Sequence, residues 1–395
     1  MRKSFVVLFL FVATTLFGQD PDILYLTWVD NPSTTMTVMW HVATGYKPHK
    51  LSYKRFDETE WHEEKSTVAR ISCSSIDVYR SDLEDLSPDT DYLFRLDDGP
   101  LHRFRTLPNN LDQPLKIAVG GDAFQVKEVY MEMNETVASA DPACAIVAGD
   151  IAYSEGLSCA LRTHQWRVER WEEFFRLWTK QMIGKNNRMI PLVSTLGNHD
   201  VKEGFDNPNK EKVLYYQVFP LPKKGIPYQL FKIGNELSFY LLDSGHSYPV
   251  GGAQTEWLEQ KLEEEKSTPY NIPVYHIGAY PSETAYSHRG SKDVRKFWVP
   301  LFEKYGVKVA MEHDNHTFKR TFPIWEGKVD HERGILYLGD GSWGVTPLKP
   351  KRHWYLQKAA QANCYWLLTA SHSEILFEAF NEKGQKIDQL IVSPN

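Results

Sequence analysis

Four short stretches of the sequence end in side chains that could hold a metal ion. Each is an apolar run typical of a buried β-strand, with polar residues directly after it: "VGGDAF", "VAGDIAY", "LGNHD" and "VYHIGAY". A single aspartate or histidine at a strand end is usually a cap or a hydrogen-bonded polar group, but four in succession would be an odd set of caps. They predict one site assembled in space from Asp122, Asp150, Tyr153, Asn198 and His276.

The donor types in this set indicate which ions they would bind. Hard oxygen donors combined with imidazole nitrogens suit first-row metals such as iron, manganese or zinc, and one carboxylate can bridge two ions. A pair of ions about 3.5–4 Å apart can hold a substrate phosphate, generate hydroxide and stabilise charge on the entering and leaving oxygens. This is the arrangement of a hydrolase.

A fifth stretch, "MEHDNHTFKR" at residues 311–320, offers two histidines and an aspartate after another apolar run. In an extended chain, side chains two residues apart share a face, so Asp314 and His316 can point together while His313 and Asn315 point the other way. A local bulge would instead turn His313 inward, because bulges add a residue and re-aim side chains. We favour Asp314, with His313 as the alternative and loss of one metal site as a third hypothesis.

The elements that must position these residues follow an α/β pattern after Pro114. Apolar strands alternate with helical stretches, and in such sheets ligands collect at the carboxyl ends of the strands. From about Gly334 the pattern is typical of strands and turns that complete or extend the sheet. The strand and helix stretches, in chain order, are "LKIAVGGD", "KEVYMEMNETVASA", "CAIVAGD", "HQWRVERWEEFFRLWTKQM", "MIPLVSTLGN", "GAQTEWLEQKLEEEKS", "IPVYHIGAY", "DVRKFWVPLFEKYG" and "VKVAMEHD".

The chain before this α/β region has a different pattern. From Ile23 to about Pro108, short alternating runs such as "TMTVMW" and "DYLFRL" are separated by turn residues, which predicts an all-β sandwich. Residues 109–114 show no periodicity and are expected to form a linker. We therefore expect a sandwich domain at residues 21–108 and a catalytic domain with a C-terminal β extension at residues 115–395.

The polar motifs, taken in order, resemble those of a known enzyme superfamily. "GDAF", "GDIAY", "GNHD", the isolated His276 and the histidine of "HTFKR" look like the motifs of the calcineurin-like metallophosphoesterases. Within them, the tyrosine of the GDxxY element and a β-sandwich ahead of the catalytic domain resemble the purple acid phosphatases. The resemblance implies an N-terminal all-β sandwich, fibronectin type III-like, followed by an α/β metallophosphoesterase domain of four layers, αββα.

The resemblance also implies a role for each candidate ligand. Such enzymes hold Fe(3+) beside a divalent ion (Mn, Zn, Fe or Mg), and a GHxH motif supplies the last two histidines, one to each metal. Aligning "HTFKR" with the family's terminal motif puts His316 on the second histidine and Asp314, a departure from the family, on the first. Carried over by motif, Asp122, Tyr153 and His316 would ligate the ferric ion, Asp150 would bridge, Asn198, His276 and Asp314 would hold the divalent ion, and His199 would contact substrate or protonate the leaving group.

Several other residues carry weaker expectations. His246 and His288 fall in loops where a solvated polar residue is the default, although either could line the pocket, and His164 is expected to be structural. The tryptophans of the long aromatic segment are expected to pack on amphipathic helices rather than to stack on a cofactor. Four cysteines allow three disulfide pairings, none of which is favoured, and one is expected in the core. These tryptophans and cysteines are Trp166, Trp171 and Trp178, and Cys73, Cys144 (the core residue), Cys159 and Cys364.

Composition restricts the partners of the protein. The 395 residues include 45 Lys plus Arg and 51 Asp plus Glu, which gives a formal charge of −6. This balance offers no electrostatic footprint for nucleic acid or an anionic membrane. We expect a small phosphorylated substrate, and the sequence makes no prediction of the oligomeric state.

The first residues are typical of a secretory signal peptide. Arg2 and Lys3 precede an apolar run of thirteen residues from Phe5 to Phe17, and the small residue Gly18 suits a cleavage site. Such a run is too short to span a bilayer, which takes about 20 residues. We therefore expect residues 1–18 to be removed and the mature protein to be secreted or periplasmic.

Together these features predict an exported binuclear metallophosphoesterase. It would hydrolyse phosphate monoesters by attack of metal-bound hydroxide, with His199 assisting the leaving group. A phosphodiesterase on the same scaffold is the first alternative, because the motifs do not dictate whether the pocket admits a second ester arm. A catalytically weak extracellular binding protein is the second.

Overall fold

The computed structural model describes most of the chain. The described residues are 21–45, 49–71, 74–154, 168–201, 213–223, 225–339 and 341–394. The predicted signal peptide at residues 1–18 lies outside them, as do Cys73, Cys159, His164 and Trp166. Among these described residues there is no helix long and apolar enough to cross a membrane.

The N-terminal region folds as a β-sandwich, as its alternating pattern predicts. Its strands are β1 (Ile23–Thr27), β2 (Met36–Ala43), β3 (Leu51–Arg55), β4 (His62–Glu64), β5 (Thr67–Arg70), β6 (Ile76–Leu83), β7 (Asp91–Leu96) and β8 (His102–Arg105). One antiparallel sheet has the order β1-β2-β6-β5 and the other has the order β4-β3-β7-β8. Met36, Val38 and Trp40 alternate along β2 and are buried in the core that both sheets share, because successive side chains of a strand point to opposite faces.

The other face of the first sheet packs on the catalytic region. Tyr25 of β1 stacks on Phe175 with ring centroids 4.0 Å apart, and its hydroxyl donates a hydrogen bond to the Val218 carbonyl oxygen. The Thr179 hydroxyl accepts from the Leu24 amide and lies 2.9 Å from the Leu24 carbonyl oxygen. Both faces of β1 are therefore buried, and this edge of the sandwich packs on the catalytic region.

The catalytic region is built from helices and strands that alternate as the sequence predicts, with two 3-10 turns at Lys185–Asn187 and Asn198–Asp200. Its elements are β9 (Leu115–Gly120), α1 (Lys127–Ala140), β10 (Cys144–Ala148), α2 (Val168–Gln181), β11 (Leu192–Thr195), α3 (Leu214–Val218), β12 (Gln229–Ile233), β13 (Leu237–Leu242), α4 (Ala253–Glu264), β14 (Tyr270–Ile277), α5 (Arg289–Phe297), α6 (Val299–Lys304), β15 (Val309–His313), β16 (Phe318–Thr321), β17 (Ile324–Trp325), β18 (Lys328–Val329), β19 (Leu336–Gly339), β20 (Leu356–Ala360), β21 (Tyr365–Ala370), β22 (Ile375–Phe380) and β23 (Lys386–Val392).

Two mixed sheets carry the site. One has the order β11-β10-β9-β21-β22-β23, in which β9, β10 and β11 are parallel and the three C-terminal strands are antiparallel. The other has the order β12-β13-β14-β15-β19-β16-β20, with parallel pairing from β13 through β14 and β15 to β19. The residues after Gly334 thus complete both sheets, as the sequence predicts.

The order of the layers is shown by successive residues of the central strands, which join different hydrophobic cores. Ile117 and Val119 of β9 join a core shared with Val274 and Met311 of the second sheet. Ala118, between them, lies in the cluster formed with the helices α1 and α2. On the far side, a third cluster joins the second sheet to α4, α5 and α6. The order is therefore helix, sheet, sheet, helix, and the predicted αββα architecture is confirmed.

The aromatic segment and the cysteines have the structural roles expected of them. Trp171 and Trp178 are buried on one face of α2 together with Phe174 and Phe175, at the spacing of an amphipathic helix. Cys144 is buried in β10, Cys364 is buried near Ser342, and no disulfide joins these two described cysteines.

Candidate metal centre

The strand ends that the sequence singles out meet at the carboxyl ends of the two catalytic sheets. Asp122 follows β9 and Asp150 follows the parallel neighbour β10, while His276 lies near the end of β14 in the facing sheet. These three side chains are buried, and each offers a ligand atom within 4.8 Å of the other two. His276 Nε2 lies 3.3 Å from Asp150 Oδ1.

Tyr153 and His316 join Asp122 on one side of this cluster. The Tyr153 hydroxyl lies 3.1 Å from Asp122 Oδ1 and 3.0 Å from His316 Nε2. His316 Nε2 is 3.1 Å from the same Asp122 oxygen. The structure thus brings together the three residues predicted to ligate a ferric ion, while the ligation itself stays a prediction.

Asp314 lies beside His276, and Asn198 begins the short turn after β11. Asp314 Oδ1 is 3.7 Å from His276 Nε2. The turn that begins with Asn198 is bound to Asp150, because the His199 amide donates to Asp150 Oδ1 at 2.7 Å. His276 and Asp314 are therefore close together, and the turn that contains Asn198 is joined to Asp150 through its neighbour His199.

The geometry places both rival ligands of the fifth stretch beside the site. His313 ends β15, its Nδ1 lies 2.9 Å from the Tyr275 carbonyl oxygen, and its ring packs against Gly121. The Asp314 amide instead donates to Asp122 Oδ2 at 3.1 Å. His313 Nε2 is buried without a hydrogen-bond partner among the described residues, and Asp314 Oδ1 lies 3.7 Å from His276 Nε2, so both side chains stay candidate ligands and the preference for Asp314 stays a prediction.

The sequence favours Asp314 because an extended chain would point it the same way as His316, and this reason is only partly right. The chain is extended only as far as His313, because Asp314 and His316 adopt left-handed conformations with φ of 81° and 54°. The strand pairing does contain an irregularity, but the extra residue lies on β14, between Val274 and Ile277. That position adjoins His276, so the deviation re-aims the neighbouring histidine rather than His313.

Left-handed backbone is concentrated at this site. Asp122, Asp150 and Tyr153 also have positive φ, between 50° and 56°, although this region is unfavourable for residues with a Cβ atom. Such conformations persist where the surrounding structure imposes them, and they cluster at functional sites. The close packing also requires glycine nearby, since a Cβ at Gly197 would lie 2.3 Å from Asp150 Oδ1.

The residues fit a metal centre on their own chemistry. Asn198 Oδ1 and His276 Nε2 are buried and have no hydrogen-bond partner among the described residues. An unsatisfied buried polar atom is costly, and a cation would satisfy both atoms. His276 also has the second contact expected of a metal ligand, because its Nδ1 lies 2.9 Å from the Ala148 carbonyl oxygen.

Comparison with known families agrees with this geometry. Residues 21–106 match the family model described as "Purple acid Phosphatase, N-terminal domain", and residues 115–311 match "Calcineurin-like phosphoesterase". The chain is a purple acid phosphatase-like phosphoesterase. It is therefore a hydrolase of phosphoric esters, and the resemblance stated from its motifs is confirmed.

Individual relatives are distant in sequence. "Purple acid phosphatase 18" from Arabidopsis thaliana is 23% identical over 325 residues, covering 80% of this chain and 68% of its own length. "Probable inactive purple acid phosphatase 27" from the same plant is 23% identical, covering 58% of this chain and 40% of its own length. The solved purple acid phosphatase PPD1 from yellow lupin superimposes with a TM-score of 0.76 at 15% identity, over 94% of this chain and 74% of that one.

Charge coupling dominates the electrostatics of the phosphoesterase centre. Burial opposes ionisation of Asp150, but the imidazoles of His276 and His199 outweigh it and hold the pKa of Asp150 below its usual value. Burial favours neutral His276, but Asp150 and Asp122 outweigh it and raise the pKa of His276 well above its usual value. Burial and then Asp122 raise the pKa of Tyr153 well above its usual value. A bound cation must therefore displace protons from the imidazole and the phenol, and metal loading is coupled to pH.

His199 lies at the mouth of the phosphoesterase centre. Its ring lies against that of Tyr153 with centroids 4.7 Å apart, and its Nε2 is 3.8 Å from Asp150 Oδ2. The side chain is 15% exposed, whereas those of Asp122, Asp150 and His276 are buried. A substrate leaving group could therefore reach it.

Sequence reasoning missed Asp200, the last residue of "GNHD". Its carboxylate accepts hydrogen bonds from the Ile151 amide at 3.0 Å and from the Gly197 amide at 2.8 Å. Burial, and then the charge of Asp150, raise the pKa of Asp200 to about 7. Asp200 thus joins the loop after β10 to the loop after β11, and its place in the motif was the available signal.

The expectation that His246 is a solvated loop residue is wrong. His246 is 1% exposed, and its ring centroid lies 5.5 Å from that of His276. Its Nε2 lies 3.0 Å from the Ser244 hydroxyl, which accepts a hydrogen bond from the Ile277 amide. The loop at residues 244–248 is folded inward because the Asp243 carboxylate accepts hydrogen bonds from several of its backbone amides, including that of His246 at 2.7 Å. His288, by contrast, is exposed at the start of α5, as expected.

Proposed function

We propose that this phosphoesterase hydrolyses small phosphate monoesters with a ferric and a divalent metal ion. The observation that carries the proposal is the convergence of buried oxygen and imidazole donors, two of which have no hydrogen-bond partner among the described residues. Such donor sets suit first-row ions. The proposed ligands are Asp122, Tyr153 and His316 for the ferric ion, Asn198, His276 and Asp314 for the divalent ion, and Asp150 as the bridge.

The chain's own residues have distinct tasks in this reaction. When bound, the metal pair would lower the pKa of water and offset negative charge on the phosphoryl oxygens. Asp150 positions His199, because its carboxylate accepts a hydrogen bond from the His199 amide. His199 is the proposed proton donor to the leaving group, since it is a partly exposed histidine that is not itself assigned to a metal and proton donation requires contact with substrate.

Paired substrates test this function. Wild-type protein should hydrolyse an aryl phosphate monoester with a larger kcat/KM than the matching diester, and removal of metal by a chelator should abolish both activities. His199→Asn should lower kcat by about 10²–10⁴-fold while the metal content is retained. His62→Asn, on the exposed strand β4 of the sandwich, controls for the loss of a histidine elsewhere. Unchanged kcat in His199→Asn would remove its role.

A phosphodiesterase on the same scaffold is the first alternative. The ligands assemble a metal pair but do not determine whether a second ester arm is admitted. A larger kcat/KM for the diester in the same paired assay would establish this alternative.

A catalytically weak binding protein is the second alternative. The carboxylate at position 314 favours this alternative more than the histidine of other family members would. Asp314 stands where the family has a histidine, and at least one similar plant protein is named probable inactive. Purified, folded protein with metal content near zero would establish this alternative and contradict the monoesterase.

We also propose that the phosphoesterase acts outside the cytoplasm, secreted or periplasmic, on a substrate that is neither nucleic acid nor membrane. The support is the basic and apolar pattern of residues 1–18 and the formal charge of −6. Fractionation of cells that express the full chain, with N-terminal sequencing of the mature protein, tests the export. A mature protein that retains residues 1–18 would contradict it.

A further inference from the structure

A fully buried ion pair lies beside the metal centre, outside the proposed ligand set. Glu312 and Lys319 are both inaccessible to solvent, and the Lys319 ammonium donates a hydrogen bond to Glu312 Oε2. Two charges removed from water are destabilising unless good geometry and further hydrogen bonds offset their desolvation. The further hydrogen bonds of this pair therefore indicate what it holds in place.

The pair closes the loop that carries two proposed ligands. Glu312 lies at the end of β15 and Lys319 at the beginning of β16. Residues 313–318 between them contain Asp314 and His316. The ion pair thus joins the two ends of this loop at its base.

The same pair binds the segment that carries His276. Glu312 Oε1 accepts hydrogen bonds from the Tyr275 hydroxyl at 2.7 Å and from the Ala279 amide at 2.6 Å. Lys319 Nζ donates to the Tyr280 carbonyl oxygen at 2.6 Å. These partners flank His276 on both sides in the sequence, so the pair connects the His276 segment to the Asp314 loop.

Two glycines lie against Glu312 and Lys319 at positions where a Cβ atom would clash. A Cβ at Gly278 would lie 2.9 Å from Glu312 Oε2 and 3.2 Å from Lys319 Nζ. A Cβ at Gly339 would lie 2.0 Å from the Glu312 carbonyl oxygen. Both glycines therefore permit the close approach of β14, β15 and β19 around the pair.

We propose that Glu312 and Lys319 are positioning residues that set the separation between His276 and the Asp314 loop, and thereby the affinity of the centre for its divalent ion. The inference rests on the proposed metal centre. A pair that served only the core would change the stability of the protein and leave the affinity of the folded molecules unchanged. A positioning pair changes the affinity itself.

Mn²⁺ binding distinguishes these two roles. The probe is titration calorimetry of chelator-treated protein with Mn²⁺, together with metal analysis after dialysis and the thermal unfolding midpoint of each variant. Lys319→Met should weaken Mn²⁺ binding by at least about tenfold, the usual scale for loss of a group that orients metal ligands. The double variant Glu312→Gln/Lys319→Met should recover part of this loss, because it leaves no unpaired charge and keeps a carbonyl acceptor for the Ala279 amide.

A milder variant covers the case in which Lys319→Met does not fold. Tyr275→Phe removes one hydrogen bond between the pair and β14 while both charges remain, and it should weaken Mn²⁺ binding by about threefold, less than the loss of a charged partner. Asp388→Asn is the matched control, because Asp388 is a buried carboxylate paired with Lys358 and with Arg320, the residue after Lys319. It should lower the unfolding midpoint and leave Mn²⁺ affinity unchanged.

The outcomes separate this inference from the function on which it rests. Wild-type protein that binds no Mn²⁺ would contradict the proposed metal centre itself. Wild-type protein that binds Mn²⁺, with unchanged affinity in every variant of the pair that folds and in Tyr275→Phe, would overturn the positioning role. Equal weakening in Asp388→Asn would also overturn it, since the effect would then belong to the loss of any buried, paired carboxylate of the catalytic region.

Discussion

Neutralising Asp314 should strengthen inhibition by inorganic phosphate. As a ligand, Asp314 would add one negative charge where a neutral imidazole is implied by the family. Asp122, Asp150, Asp314 and the Tyr153 phenolate would then contribute −4 against +5 for a ferric and divalent pair, so one hydroxide would make the centre formally neutral. A neutral centre attracts phosphate less strongly than one with a charge of +1.

Coulomb's law gives the scale of this effect. Asp314 Oδ1 lies 3.7 Å from His276 Nε2. A phosphate bound beyond the divalent position would therefore lie at roughly twice that distance from the Asp314 carboxylate. With an effective dielectric constant of about 20, two unit charges about 8 Å apart interact by about 2 kcal/mol, which is about thirtyfold in binding. The Asp314 side chain is 19% exposed, and solvent screening reduces the expected change to about tenfold.

The assay is the inhibition constant of inorganic phosphate against an aryl phosphate, measured on metal-loaded protein. Asp314→Asn removes the charge with little change in shape, and Asp314→His supplies the ligand implied by the family and should also improve the use of zinc. Glu283→Gln is the matched control, because this partly exposed carboxylate pairs with the Lys351 ammonium. An unchanged inhibition constant in fully metallated Asp314→Asn would refute the charge reasoning.

The same variants decide which residue of the loop is the ligand. Asp314→Ala should empty the divalent position, and His313→Ala should leave it filled. The reverse result would establish His313 as the ligand and remove the basis of the charge count.

Three further predictions concern the other ligands. Tyr153→Phe should remove the visible charge-transfer band of iron-loaded protein while the fold is retained, and unchanged absorption would reject Tyr153 as a ligand. Asp150→Ala should deplete both metals, whereas Asn198→Ala should deplete only the divalent ion, because a bridging carboxylate serves two cations; equal depletion would argue against the bridge. The pKa of His276 is raised in the folded protein, so its stabilising contribution is fully present below the unfolded pKa of about 6.5 and is lost as pH rises through the folded value. Chelator-treated protein should therefore unfold at a higher temperature at pH 6 than at pH 9, and a His276→Asn variant that keeps the full difference would contradict this cause.

The fold and the ligand cluster could be predicted because both depend on local patterns. Apolar runs define the strands, and polar residues after β9, β10 and β11 must meet, since the carboxyl ends of parallel strands lie at one end of a sheet. Asp122, Asp150 and Asn198 were found by this reasoning alone. The family resemblance then supplied roles that no spacing gives, such as the bridge at Asp150.

The remaining features depend on contacts between distant segments. Asp314 and His316 face the site through left-handed backbone, which an argument from an extended chain does not anticipate. His246 is buried because Asp243 folds its loop inward, although its sequence is that of an ordinary surface loop. The Glu312–Lys319 pair links β15 and β16 to the end of β14. Neither residue stands out in the sequence, because charged residues are common throughout the chain.

Metal analysis of the purified full chain, combined with its activity on an aryl phosphate monoester, tests the central claim most directly. We predict two metal ions per chain, at least one of them iron, and monoesterase activity that is lost with the metal and regained when iron and manganese are restored. Folded protein that binds no metal, or that keeps its monoesterase activity after complete removal of metal, would contradict the proposed binuclear centre.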